Sequence, residues 1–254
     1  MRQRLQDRLL PLVGFAIFFV IWEIAGQRLG NTLLAPPSAV VVTYVELLFE
    51  GVMITELFTS LRQMMIGFVL ACLVGMPLGA AMGRSRSVDA IFRPWVSMFV
   101  VTSTAALVPL LILLLGTGLA LRSTVVFLAA VWYIVLTTYN GAKGISPNQI
   151  AVGRSFSASP IQIFWKIVLP SLYPYLVTSA RIGLIHAIRA MVMAEMFVII
   201  GYGGLIHQTG LLVDTASLLA LLASLMIVSL LANFVLKKAG DRWAPWYELQ
   251  RAPA

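Results

Sequence analysis

The sequence predicts an all-α membrane protein with six transmembrane helices, and three observations carry that prediction. Hydrophobic residues make up 60% of the 254-residue chain and charged residues only 11%, against about 25% charged in soluble domains. The apolar residues fall in unbroken runs near the ~20 residues that an α-helix needs to cross a bilayer. A transmembrane barrel would instead show alternating segments of about ten residues. The basic residues gather between alternate runs, the pattern that orients multi-pass helical proteins. Helices suit this chain because each satisfies its own backbone hydrogen bonds in lipid.

The first span covers residues 9–25. Arg2, Arg4 and Arg8 precede it as in a signal peptide, but no small-residue cleavage site follows, which favours a retained span. Glu23, beside Trp22, lies near its far end, where a charge at headgroup level costs little. Pro36-Pro37-Ser38 then introduces an amphipathic run from Ala39 to about Phe49 on the outer face, with Ser38 as its expected N-cap. Residues 60–82 form the second span. Gly75 and Gly79 make a GxxxG pair around Pro77, which permits close helix approach, although glycine is common in membrane helices in any role. A short basic loop, Gly83 to Pro94, carries Arg84, Arg86 and Arg93. The third span is placed at 95–115, with Pro109 as its expected kink or outer end. Gly116-Thr117-Gly118 turns the chain into the fourth span, 123–142.

The fifth span, 176–200, ends at a glycine-rich turn, Gly201-Tyr202-Gly203-Gly204. The sixth span, 215–236, is stopped by Lys237, Lys238 and Arg242. With six spans both termini share a side. The N-terminal arm, the loops after spans two and four, and the C-terminal tail hold Arg2, Arg4, Arg8, Arg84, Arg86, Arg93, Lys143, Arg154, Lys166, Lys237, Lys238, Arg242 and Arg251. The opposite loops hold mainly Arg28, Arg62 and Arg122. The positive-inside rule therefore puts both ends in the cytoplasm. It also accounts for the net charge of +8 without nucleic acid as a partner. Cys72, the single cysteine, reads as a small core hydrophobe.

Catalytic signatures are missing. His186 and His207 are the only histidines, and no His/Cys/carboxylate cluster has metal-ligand spacing. No GxSxG elbow or GxxxxGK[ST] phosphate loop occurs, so any driven work draws on a partner or an ion gradient. Span five carries Arg181, His186, Arg189 and Glu195. Each charge near mid-membrane costs about 2.5–3.5 kcal/mol on insertion scales, and such residues are site candidates by default. His186 and Arg189 share a helix face, while Glu195 falls about 120° from Arg189. Two readings are open for these residues: pairing with other spans, or a polar path for an anion lined by His186 and Arg189, with Glu195 as a further candidate.

The remaining polar stretch, Asn148 to Pro174, sits on the cytoplasmic side within the connector 143–175. Ser146-Pro147 can start one helix, and Pro160 can open another at its first turn. Ile161, Phe164, Trp165 and Val168 form an apolar face at helical spacing, while Pro170 and Pro174 are expected to stiffen the link to span five. Taken alone, the segment could be an interfacial helix resting on lipid.

This stretch resembles the cytoplasmic signature loop of ABC-importer permeases, E-A-A-x3-G-x9-I-x-L-P. Ile167, Leu169 and Pro170 match its end. Ser157 stands at the glycine, and Ala151, Val152 and Gly153 stand at the E-A-A. Trp22-Glu23, Leu34 to Val40, Ser60-Leu61-Arg62, Gly75 to Gly79, Pro109-Leu110, Ala158-Ser159-Pro160, Arg181-Ile182-Gly183, Glu195-Met196 and Pro245-Trp246 resemble, in order, the branch that carries nitrate, sulfonates and taurine. The resemblance implies a type I permease in the bacterial inner membrane. It implies a second permease copy or a paralogue, ATPase subunits that hold ATP and Mg, and an extracytoplasmic substrate-binding protein. The chain itself would have no cofactor and no catalytic residue. Ser157, Ala158, Ser159, Pro160, Ile161, Phe164, Trp165, Lys166, Leu169 and Pro170 would meet the ATPase. The alternative is an ion-gradient-driven transporter or channel with Arg181, His186 and Glu195 as a relay.

Overall fold

The computed structural model describes residues 2–30 and 32–243, all in helices and short connections. Pro245-Trp246 and Arg251 lie outside the described residues, as do the side chains of Arg2, Arg4 and Arg8. The order is α1 Arg2–Leu29, α2 Pro37–Glu50, α3 Val52–Arg84, α4 Arg86–Val101, α5 Thr104–Leu115, α6 Leu119–Lys143, α7 Pro147–Ser155, α8 Pro160–Ile163, a π-helical turn Phe164–Val168, α9 Leu169–Val198, α10 Gly201–Leu211 and α11 Thr215–Trp243. Among the described residues, four helical stretches are long and apolar enough to cross a membrane, or five if the bent pair α4–α5 counts as one span. Two compact units result, Met1–Thr59 with Ile199–Val228, and Ser60–Val198 with Ser229–Ala254.

In the first unit, α2 is fastened to α1 by polar contacts. The Trp22 indole donates to the Ala35 carbonyl at 3.1 Å. The Glu23 carboxylate accepts from the Ser38 amide at 3.1 Å and the Ser38 hydroxyl at 2.7 Å. Ser38 is therefore not the N-cap: Pro36 holds that position, Pro37 opens the helix at N1, and the serine hydroxyl serves Glu23. Gly201-Tyr202-Gly203-Gly204 is not an open turn. Gly201, at φ +66°, makes the bend, and α10 continues through the other three. The Tyr202 hydroxyl, fully buried, donates to the Leu221 carbonyl at 2.8 Å and meets Ser224 on α11.

The second unit is held by seams of small residues. Within lipid, apolar burial gives helices no net drive to associate, so close backbone approach does the work. Along α3, Gly67, Ala71, Gly75, Gly79 and Gly83 recur at turn spacing. A methyl added to Gly75 would lie 2.9 Å from Ile134 Cγ2, and one on Gly79 would lie 2.8 Å from Thr138 Cβ. The GxxxG pair is thus part of a longer face against α6. On the other side of α6, Gly141 receives the Tyr175 ring and Gly183 of α9 receives the tip of Ile134.

Span three departs from expectation. The basic loop 83–94 is almost wholly helical: Ser85 alone separates α3 from α4, and its hydroxyl accepts from the Val88 amide at 3.5 Å. The span is not continuous over 95–115. It breaks at Thr102–Ser103, where α4 and α5 meet at 99°, and not at Pro109, which lies inside α5. Thr102 is the last residue held to the helix, its amide, at 3.1 Å, and its hydroxyl, at 2.8 Å, both donating to the Met98 carbonyl, and its extended backbone, ψ 130°, ends α4. Near the start of α4, Asp89 pairs with Arg93, which also donates to the Tyr139 hydroxyl at 2.6 Å.

Candidate functional site

Two places in the second unit collect the residues singled out in the sequence. The first is the connector between α6 and α9. Ser146 caps α7, accepting from the Asn148 amide at 3.3 Å, with Pro147 at the first helical position. Helix α7 closes in a Schellman motif: the Ser157 amide donates to the Arg154 carbonyl at 2.9 Å and the Ala158 amide to the Gly153 carbonyl at 3.2 Å. That motif requires a left-handed residue, usually glycine, just past the helix end. Ser157 occupies it at φ +55°. The glycine of the signature thus has a backbone reason, and serine here accepts a strained conformation. Gly153, at the second alanine of the E-A-A, leaves room for Ile167: a methyl there would sit 2.7 Å from Ile167 Cδ1.

Ser159 and Gln162 then form a reciprocal capping box, with Pro160 at N1. Helix α8 does not stop before span five. It passes through the π turn into α9, giving one helical rod of 39 residues, Pro160–Val198. Leu169-Pro170 and Pro174 lie within that rod and do not mark its start. Pro174 is tolerated mid-helix, and its carbonyl accepts from the Thr178 hydroxyl at 2.8 Å.

The π turn also changes which side chains share a face. In a regular α-helix, residues five apart point about 140° away from each other. The wider π turn, with i→i+5 bonding, brings Ile163 and Val168 into phase. Both are buried with Ala142, Ile145, Ile150 and Leu172. Val168 therefore belongs to the anchor and not to the outward face predicted for it. The outward face consists of Ile161, Phe164 and Trp165, all exposed. Phe156, 82% exposed, and Val152 on α7 add to the apolar surface of the connector and were missed. Phe156 sits beside the glycine position of the signature, which was the available signal. Ser157, Ser159, Pro160 and Lys166 are exposed, Ala158 and Leu169 are half-buried, and Pro170 is exposed.

The second place is a cavity of about 250 Å³ at the break in span three. Thr102, Ser103 and Thr104 form its polar rim, and His186 and Arg189 of α9 reach it together. Tyr133 of α6 ties the wall together. Its hydroxyl donates to the Val100 carbonyl at 3.3 Å, and its ring stacks on His186 with centroids 3.6 Å apart. Phe99, on the α4 wall, stacks on Trp132 at 4.6 Å and 3°. Arg189 is exposed, while His186 is half-buried. Glu195 is fully buried and is not among the residues lining the cavity. Arg181 donates to Asn233 Oδ1 at 2.8 Å. The structure thus brings His186 and Arg189 together and leaves Arg181 and Glu195 outside that cavity, so the residues of an ion relay do not converge there. Sequence reading missed Tyr133, Phe99 and the hydroxyl rim. A Thr-Ser-Thr run inside an apolar span was their one signal.

Comparison with known proteins agrees with this arrangement. The family described as binding-protein-dependent transport system inner membrane component matches residues 71–244. A probable ABC transporter permease of Brucella abortus is 30% identical over 249 residues, covering 98% of this chain and 99% of its own. The taurine transport system permease of Escherichia coli is 27% identical, covering 90% of this chain and 86% of its own. The nitrate import permease of Synechocystis is 29% identical, covering 74% and 71% respectively. Among solved structures, a chain of the inward-facing MetNI methionine ABC transporter superposes with a TM-score of 0.63. It is 21% identical and covers 78% of this chain and 96% of that one, a likeness of fold. The chain belongs to the inner-membrane components of binding-protein-dependent transport systems, the ABC transporter permeases, and resides in that membrane as a multi-pass helical protein.

Proposed function

We propose that this permease forms the path for a small anionic solute in an ATP-driven importer. The observation that carries the reading is Arg189, a fixed cation, lining a cavity at a broken span together with His186. A cation on a spanning helix lowers the barrier for an anion crossing hydrocarbon, which explains why a residue so costly to insert is kept there. The named solutes of similar permeases, nitrate, bicarbonate and taurine with its sulfonate group, support an anionic group on the solute.

In this reading the chain crosses the membrane six times, with α4 and α5 as the third, broken span and both termini in the cytoplasm. It pairs with a second copy or a paralogue. It has no catalysis or cofactor of its own; ATP and Mg are bound by partner ATPases. Those partners dock on the connector, where Ile161, Phe164 and Trp165 are exposed on a base anchored by Ile163 and Val168. An extracytoplasmic binding protein delivers the solute. The anion path is tested by vesicle uptake with the complete transporter. Arg189→Gln lowers uptake at least ten-fold while Arg189→Lys retains a measurable part. Unchanged uptake in Arg189→Gln removes Arg189 from the path.

A further inference from the structure

We propose that a groove between α9 and α11 binds an anionic phospholipid, with an acyl chain along its floor and the phosphate at its basic mouth. The groove encloses about 340 Å³ and is lined by different residues from the cavity at the α4–α5 break. Tyr173, Val177 and Ala180 line it from α9, and Leu236, Ala239 and Gly240 from α11. Their three- and four-residue spacings put each set on one helix face. The two helices run antiparallel and are tied at both ends of the groove. At one end the Tyr173 hydroxyl donates to the Gly240 carbonyl at 3.4 Å, and a methyl on Gly240 would lie 2.4 Å from Val177 Cγ1. At the other, Arg181 donates to Asn233 at 2.8 Å. Between the ties Ala180 and Ala239 present only methyl groups, so the helices are held around a strip that their side chains do not fill. From Tyr173 to Ala180 that strip is about 10 Å long.

Shape and charge together select the occupant. In a bilayer a concave apolar strip gains contact with an acyl chain that a flat helix face does not, because the gain is dispersion and not release of water. The apolar part of α11, Thr215–Gly240, is long enough to cross the membrane, which puts the residues just beyond it at headgroup level. At about 100° per residue, Lys237 and Arg242 fall on either side of the lining face and Lys238 falls behind it. All three are exposed. Residues 236–243 hold these three cations against the single carboxylate of Asp241. Among the described residues the one ion pair, Asp89 with Arg93, lies elsewhere. Basic residues beside a spanning helix recruit anionic headgroups, and here two of them flank the mouth of an apolar groove. A zwitterionic lipid would fill the groove and leave the cations unmatched. A second copy of this chain, meeting the same face, would set like charges against each other.

The test is photolabelling of the full chain in lipid nanodiscs. Phosphatidylglycerol and phosphatidylcholine carry the same diazirine-bearing acyl chain, and the labelled residues are mapped by mass spectrometry. Phosphatidylglycerol is expected to label residues 173–180 and 236–240 at least five-fold more than phosphatidylcholine does. Leu230 and Phe234, exposed on the same helix, take both lipids equally. Lys237→Gln combined with Arg242→Gln brings the two lipids level in the groove, whereas Lys237→Arg keeps the preference. Ala239→Leu, which fills the strip, lowers labelling there by both lipids and leaves Leu230 and Phe234 as they were. Equal labelling of the wild-type groove by the two lipids, or a preference that survives loss of both cations, means ordinary surrounding lipid only and overturns the proposal. A groove labelled by neither lipid also overturns it, and a disulfide between copies through Ala239→Cys in a Cys72→Ser background would then assign the face to a second copy.

Discussion

The connector around Ser157 turns Phe156, Ile161 and Trp165 outward, whereas the cavity at the α4–α5 break holds Arg189 within a span of apolar neighbours. Each region leaves costly side chains uncovered, bare apolar groups in one and a cation on an apolar helix in the other. Each also has a well-packed backing. Ile163, Val168 and Leu172 sit under the connector, and the stacked rings of Tyr133 and Trp132 stand behind the cavity. The lesson is that unfavourable exposure persists here on rigid supports. Separating the exposed face from its support should therefore separate partner binding from stability.

The largest effect is expected at the exposed face of the connector. Phe164→Ala combined with Trp165→Ala should weaken retention of the partner ATPase at least ten-fold, as loss of aromatic hot spots does. The melting temperature of the permease should barely move, and a large drop would place these rings in the support. Next comes the support itself. Ile163→Ala should cost about 2–4 kcal/mol, read as faster hydrogen exchange across α7 and α8. A smaller gain is expected from Ser157→Gly, which relieves the left-handed strain and should stabilise the connector by about 1 kcal/mol; Ser157→Val should do the reverse.

The smallest effect concerns Asp89, which helps tie α4 to α6. It pairs with Arg93, which donates to the Tyr139 hydroxyl of α6. Asp89→Asn should lower the melting temperature by about a degree or two, and an unchanged value would show that the tie does not depend on the carboxylate.

Much of the fold was legible because lipid imposes simple demands. Uncharged runs marked α3, α6 and α11, a long apolar run with few charges marked α9, and Pro160 marked the start of α8. The break in span three was misplaced because Pro109 is a louder signal than Thr102, where an extended backbone that composition does not mark ends α4. The π turn leaves no compositional trace, so a regular-helix count put Val168 on the wrong face. At the cavity, the three-residue spacing of His186 and Arg189 was readable along one helix. The rings opposite come from α4 and α6, and their meeting depends on packing that spacing within one helix cannot reveal. Serine at position 157 looked like a lost signature residue, yet the backbone still takes the shape that glycine would.

The uninterrupted passage from Pro160 to Val198 has a mechanical meaning. At about 1.5 Å per residue, its 39 residues make a beam roughly 58 Å long. A tilt of only about 5° about one end displaces the other by about 5 Å, close to one helical pitch. A small rotation where α8 begins therefore becomes a displacement that grows along the beam, and His186 and Arg189, about two-thirds to three-quarters of the way along it, travel with that share of the stroke.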